Sequence, residues 1–122
     1  MEYVFLAYRD EKQWAALSAA ERDAYESACL AHEQELRQSG RLVAVEGLQS
    51  SSTALTVRIV NGQVALTGGP VNGPPGELIR LFFIRARDLN EAIRLASKMP
   101  QALTGPIEVR PVIEFDRPAE FN

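Results

Sequence analysis

The sequence predicts an α+β fold in which two long helices cover one face of a β-sheet. Two segments are apolar at nearly every position, residues 3–8 (Y-V-F-L-A-Y) and residues 78–84 (L-I-R-L-F-F-I). Both are too short to span a membrane and are rich in aromatic and β-branched side chains, which is typical of strands buried on both faces. Because two helices cover only one face of such a sheet, we expect a second copy of the chain to cover the other.

The two helices are predicted from their caps and their apolar spacing. Ser18, with Glu21 three positions later, forms a capping box, and apolar residues at the helical period follow over residues 19–39. Asp88 is the predicted cap of the second helix, over residues 89–98. Between the first strand and the first helix, the sequence predicts a polar connection with one aromatic anchor, Trp14.

The remaining segments are strands and loops. Further strands are predicted at residues 42–48, 54–60, 63–67 and 107–115, and residues 116–122 are expected to form a loose tail. Asn61-Gly62 favours positive φ at both turn positions and therefore predicts a hairpin. Pro111 cannot donate to a ladder, so the last strand should be an edge strand or carry a bulge. The glycine- and proline-rich residues 68–76 form either a lid over a pocket or a dimer contact.

This order of elements, β-α-β, hairpin, β-α-β, is that of a ferredoxin-like split βαβ sandwich with an inserted hairpin. In that fold both helices lie on one face, and the first and third core strands are central. The exposed apolar patch on the other face would exceed what monomers usually show. We therefore expect a single domain over residues 1–122 that pairs through its sheets as a dimeric α+β barrel.

Composition excludes some classes of function. The chain has 122 residues, 46% of them hydrophobic and 24% charged, with a net charge of −3 and no basic run. This balance argues against non-specific binding to nucleic acid or to an anionic membrane. The single cysteine, Cys29, cannot form an intrachain disulfide, and no apolar run approaches the ~18 residues of a membrane span. We expect a cytoplasmic protein.

Several short motifs together resemble the YCII-related proteins, in particular the branch named for its Asp-Gly-Pro-Phe motif. They are Gly40-Arg41-Leu42, Glu46-Gly47-Leu48, Thr67-Gly68-Gly69-Pro70-Val71 and Ile107-Glu108-Val109-Arg110-Pro111. The resemblance covers almost the whole chain and implies a ferredoxin-like fold that pairs as a dimeric barrel. It also implies that some relatives are small-molecule enzymes and that members of this branch often accompany extracytoplasmic-function sigma factors.

The chain departs from the pattern of this family at two places. The Asp and Phe of the branch motif correspond to Gly68 and Val71. In YCII-like relatives a helix histidine pairs with an aspartate just before a proline as a proposed catalytic dyad. The histidine position resembles His32, but the residue before Pro100 is Met99. The resemblance therefore implies a protein without an intact dyad.

His32 is the candidate catalytic residue, because histidine is the side chain best suited to proton transfer near neutral pH. The alternative is a core or interface histidine satisfied by a backbone carbonyl. Cys29 lies one turn earlier and forms either a Cys-His nucleophile pair or part of the core. A lone histidine and a lone cysteine exclude His-cluster and thiolate zinc sites, and we expect no metal or other cofactor.

Three charged residues inside strands, Glu46, Arg58 and Arg110, are candidate ligand-binding residues. A charge that points toward a closed sheet face must be paired or must bind a charged group. Arg110 suits a carboxylate or phosphate through its planar fork, and the alternative is an Arg110–Glu ion pair at the sheet surface.

Two functions remain open at this point. The first is a homodimeric small-molecule-binding or regulatory module, with a small anionic molecule as its ligand. The second is a cofactor-independent lyase, isomerase or hydrolase with His32 as general acid/base and Arg110 or Glu46 orienting the substrate. The sequence alone leaves the choice between them open.

Overall fold

The computed structural model describes residues 1–71 and 76–114. In chain order the elements are β1 (Glu2–Arg9), α1 (Glu11–Ala15), α2 (Ala19–Gln38), β2 (Leu42–Gly47), a 3-10 turn (Ser51–Thr53), β3 (Leu55–Val60), β4 (Gln63–Gly68), β5 (Glu77–Arg85), α3 (Leu89–Ser97), a second 3-10 turn (Pro100–Leu103) and β6 (Ile107–Pro111). Part of the glycine-rich loop, the last residue of the predicted final strand and the predicted tail lie outside the described residues.

Four strands form one antiparallel sheet in the order β2-β5-β1-β6, with β1 and β5 at its centre. The predicted α+β class is confirmed, and this strand order is compatible with a ferredoxin-like fold. β6 is an edge strand, as Pro111 requires. It ends at Pro111 rather than at residue 115, because its partner β1 begins at Glu2, whose carbonyl accepts one last hydrogen bond from Val112 N at 2.9 Å.

Both long helices pack on one face of this sheet. The core there contains Tyr3, Phe5, Phe82 and Ile84 from the central strands, Leu36 from α2, and Ala92 and Ala96 from α3. Because side chains alternate along a strand, the residues between them point to the opposite face. On that helix-free face lie Val4, Leu6, Leu81 and Phe83, all half-buried within one chain. A single chain therefore buries the central strands on one face only.

β3 and β4 form a separate two-stranded sheet. Its turn is Asn61-Gly62, with φ of 51° and 76°, the positive values that a tight hairpin turn needs. Five aliphatic side chains share one face of this hairpin and are each 61–69% exposed: Leu55, Val57, Ile59, Val64 and Leu66. Isolated two-stranded hairpins are marginally stable in water.

The predicted polar connection after β1 contains a short helix, which corrects the sequence-based expectation. The Asp10 side chain caps α1 by accepting from Lys12 N at 2.9 Å. Trp14 is the predicted anchor: its ring meets the ring of Tyr25 edge-on at 5.4 Å, and the Arg22 guanidinium lies 4.9 Å from its centre. No helix of the described residues is long and apolar enough to cross a membrane.

Candidate functional site

A cleft of about 530 Å3 opens between α2, the end of β1, the start of β5 and the turn after α3. We call it the polar cleft. The lining side chains that matter here are Arg9, Tyr25, Cys29, Glu77, Arg80 and Gln101. A volume of this size is within the usual range of small-molecule sites.

One wall of the polar cleft is the segment after α3, which lies directly on β1. Asp10 N donates to Thr104 O at 2.7 Å and Tyr8 N donates to Pro106 O at 3.0 Å. Gly105 sits between these bonds, where a Cβ atom would lie only 1.9 Å from Tyr8 O. The absence of a side chain at Gly105 is therefore what allows this close approach.

The same segment orients two polar side chains at the cleft. Thr104 Oγ1 donates to Tyr25 Oη at 3.1 Å, which joins the turn to α2. Gln101 is 5% exposed, and its Oε1 has no hydrogen-bond partner among the residues that the structure describes. A buried acceptor left unpaired costs about 1–3 kcal/mol, and this oxygen is too deeply buried to meet a molecule in the cleft.

Charges of both signs line the polar cleft. Arg80 Nη1 lies 3.6 Å from Glu33 Oε1, and Arg9 Nε donates to Glu11 Oε1 at 3.1 Å. Each guanidinium carries five N–H donors, so both retain donors for an acidic ligand. Glu77 accepts hydrogen bonds from Ser51 N and from Ser51 Oγ, the second at 2.7 Å. Both hydrogen bonds lower the pKa of the Glu77 carboxyl group.

Burial keeps the two nucleophile-type side chains of the cleft protonated. It raises the pKa of the Cys29 thiol, an effect that a hydrogen bond from Tyr25 reduces in part. Burial also raises the pKa of the Tyr25 hydroxyl. At neutral pH both groups are neutral hydrogen-bonding partners rather than activated nucleophiles.

A model of the YCII-related domain matches residues 1–116 of the chain. The chain belongs to the YCII-related family. It is also similar to an uncharacterised protein of Rhizobium meliloti (strain 1021), with 29% identity over 123 residues that cover 99% of this chain and 98% of that protein. The match therefore includes every residue of the polar cleft.

In this YCII-related chain, His32 lies on α2 but does not line the polar cleft. Its Nδ1 is 3.9 Å from Glu35 Oε2, which is too long for a hydrogen bond. Its Nε2 is buried and has no partner among residues 1–71 and 76–114. Within those residues, no group of three His, Cys, Asp or Glu side chains could hold a metal ion.

The other predicted site residues also lie away from the polar cleft. Glu46 and Arg110 are on opposite edge strands of the YCII-related sheet, at positions of its helix-free face, and Arg58 is on the hairpin opposite Ala65. Arg110 Nε donates to Glu108 Oε2 at 2.6 Å, which is the surface ion pair considered as the alternative. The structure does not bring these residues to His32.

A second cleft, of about 420 Å3, adjoins the polar cleft of this YCII-related protein. We call it the apolar cleft, because its lining includes Tyr8, Ala54, Pro70, Val71 and Leu78. Leu48 and Ser50 line both clefts and form the wall that they share.

Proposed function

We propose that this protein is a cytoplasmic, homodimeric module that binds a small molecule in the polar cleft. The observation that carries the proposal is the pair of guanidinium groups, of Arg9 and Arg80, that line this cleft and retain N–H donors beyond their contacts with Glu11 and Glu33. An acidic group on the ligand pairs with either guanidinium. The ligand that we propose is therefore a small anionic molecule.

The state of the nearby ionisable groups supports binding or regulation rather than turnover. Cys29 and Tyr25 keep their protons, since burial raises the pKa of each. Neither is a general base at neutral pH. We also propose a place in the Asp-Gly-Pro-Phe branch, although only Gly69 and Pro70 of its motif are retained, and a regulatory role would suit a protein that accompanies a sigma factor.

The helix-free face supports the homodimer. It holds four half-buried apolar side chains, Val4, Leu6, Leu81 and Phe83, with Glu46, Glu108 and Arg110 toward its edges. Pairing two such faces removes the apolar centre from water. Sedimentation equilibrium at micromolar concentration tests this: we expect a dimer for the wild type and a monomer for Phe83→Lys. A wild-type monomer would contradict the pairing.

The binding site is tested by NMR with a library of small carboxylic acids. We expect acids to shift backbone resonances around Arg80 and Gln101, and Arg80→Met to remove these shifts. Arg94→Met, at an exposed position of α3 outside the cleft lining, is the matched control and should leave them unchanged. If no acid perturbs the polar cleft, or if perturbations cluster elsewhere, the proposal is wrong.

The second candidate function is a cofactor-independent enzyme with His32 as general acid/base and Arg110, Glu46 or Arg58 binding the substrate. The observation in its favour is the buried Nε2 of His32, which has no partner within the described part of the chain. Its test is the NMR spectrum of the His32 ring with acids added. His32 ring resonances that shift on binding, while Arg80→Met has no effect, would favour this candidate.

A further inference from the structure

The β3–β4 hairpin has one apolar face and one face that is mostly polar. Val57 lies opposite Leu66 and Ile59 opposite Val64, so these side chains share a face with Leu55. All five are 61–69% exposed, and we call them the hairpin face. Monomers rarely expose a large contiguous apolar patch, and such patches mark interaction surfaces. The hairpin face is therefore a candidate docking surface.

The hairpin and the loops beside it carry almost no charge. Residues 49–76 contain one charged side chain, Arg58, although 24% of the whole chain is charged. Arg58 lies opposite Ala65 on the other face of the hairpin, so the hairpin face itself carries no charge. Depletion of charged residues is typical of the buried core of a protein–protein interface. The composition of the hairpin therefore indicates a covered surface rather than a solvated one.

Residues 115–122 are too short to cover the hairpin face of their own chain. Glu114 lies beside Glu2, at the start of β1. The hairpin leaves the sheet at the other end of β1, where Gly76 lies against the backbone of Arg9. The length of β1 takes up about 23 Å, whereas eight residues reach at most about 28 Å when fully extended. Little length therefore remains for contact with five side chains beyond Arg9.

The hairpin adjoins the helix-free face of the sheet. Tyr8 takes the alternate position after Leu6 on β1 and pairs with Leu78. Tyr8 and Leu78 both line the apolar cleft, together with Ala54 and Pro70, which flank the hairpin. The two exposed apolar surfaces of the chain are therefore neighbours, and a partner on the helix-free face lies next to the hairpin.

The area that a stable dimer needs favours a second copy of the chain as the partner. Stable interfaces bury about 800 Å2 on each partner. The four apolar side chains of the helix-free face are already half-buried and supply only part of that area. The hairpin face adds five side chains that are more than half exposed. Two-fold symmetry brings a hairpin from each copy to the same interface.

We propose that the hairpin face is part of the homodimer interface and packs against the second copy of this chain. This inference rests on the proposed homodimer and adds a second surface that holds it together. The order of the hairpin then depends on the partner, because an isolated two-stranded hairpin is marginally stable in water.

The first test compares two neighbouring lysine variants of the full chain by sedimentation equilibrium. Leu66→Lys places a charge in the hairpin face, whereas Thr67→Lys, exposed on the other face of the same strand, is the matched control. We expect Leu66→Lys to raise the dimer dissociation constant by at least about tenfold, because the burial of one leucine is lost. Thr67→Lys should leave it within about twofold of the wild-type value. Circular dichroism melts establish that both variants are folded.

The second test leaves the hairpin itself unchanged. Hydrogen exchange is compared between the wild-type dimer and Phe83→Lys, the variant expected to be a monomer. The amides of β3 and β4 should exchange at least about tenfold faster in the monomer, because the hairpin loses its partner. The amides of α2, on the opposite face of the sheet, are the internal control and should exchange at similar rates in both.

The outcomes separate this inference from the homodimer itself. If Phe83→Lys dissociates the dimer and Leu66→Lys does not, the helix-free faces pair and the role of the hairpin face is wrong. If the hairpin amides exchange equally in the dimer and the monomer, the second copy does not cover them, and the inference is also wrong. A wild-type monomer would refute both the homodimer and the hairpin contact. None of these results depends on the polar cleft, which the NMR screen tests.

Discussion

Replacing Gly105 with alanine tests how closely the segment after α3 must lie against β1. A Cβ atom at this position would lie 1.9 Å from Tyr8 O, 2.8 Å from Tyr8 C and 3.0 Å from Arg9 Cα. All three are backbone atoms, so no side-chain rotation relieves the overlap. Real Cβ contacts shorter than 3.0 Å are essentially never seen, and the segment must therefore move away from β1.

The size of the effect follows from the contacts that such a movement disrupts. Overpacking at a close contact costs about 1–3 kcal/mol. The two backbone hydrogen bonds that flank Gly105, from Tyr8 N and Asp10 N, contribute about 0.5–1.5 kcal/mol each. We expect Gly105→Ala to lower the free energy of unfolding by about 2–6 kcal/mol, a large part of the roughly 5–15 kcal/mol of a typical domain.

Urea denaturation followed by circular dichroism measures this change. Gly47→Ala is the matched control, since a Cβ there meets nothing within 4 Å and its effect should stay within about 0.5 kcal/mol. Under conditions where Gly105→Ala is still folded, it should also weaken acid binding, because Gln101 lies on the displaced segment. A Gly105→Ala variant as stable as Gly47→Ala would refute the close approach.

Three further predictions concern ionisable and unpaired groups. Hydrogen bonds from Arg41 and Arg87 lower the pKa of the Glu91 carboxyl group from 4.5 to about 2. Because the pKa is lower in the folded protein, Glu91 contributes stability that is present above pH 4.5 and is lost as the pH falls toward 2. The stability advantage of wild type over Glu91→Gln should therefore shrink between pH 6 and pH 2 in urea titrations, and a constant difference would contradict this. Gln101→Met should raise the free energy of unfolding of the ligand-free protein by about 1–2 kcal/mol, since it removes an unpaired acceptor, and a decrease would contradict that assignment. Alkylation of Cys29 by iodoacetamide should show a pH midpoint above 9.0, the ordinary pKa of the thiol. The midpoint should be still higher in Tyr25→Phe, which loses the hydrogen bond that lowers the pKa of Cys29. A midpoint at or below 9.0 would contradict the burial of the thiol.

Helix starts that depend on local hydrogen bonds could be predicted from the sequence. Ser18 and Glu21 form the capping box as expected, and Asp88 caps α3 by accepting from Glu91 N at 2.9 Å. Asp10 offered the same signal before α1. A five-residue helix is too short to show an apolar period, however, and its position depends on the contacts of Trp14 with α2.

The polar cleft could not be predicted in the same way. Thr104 and Tyr25 are 79 residues apart, and only the folded chain brings them into contact. Gln101 has no local pattern that marks it, because its burial comes from the packing of its turn against α2 and β1. The chemistry of single residues pointed to His32 and Arg110. The apolar spacing along one helix or strand does not show which residues of other elements lie against it.

The place of β1 at the centre of the sheet has a consequence for synthesis and for circular permutation. Both strands that pair with β1 in the sheet, β5 and β6, come from the C-terminal half of the chain. β1 therefore leaves the ribosome long before either of these two partners is synthesised. Glu2 O accepts from Val112 N, so the two ends of the described fold lie side by side. A permuted chain opened at the Asn61-Gly62 turn, with a linker from residue 114 to Met1, would place β5, β6 and β1 consecutively. Such a chain should fold faster into the same sheet.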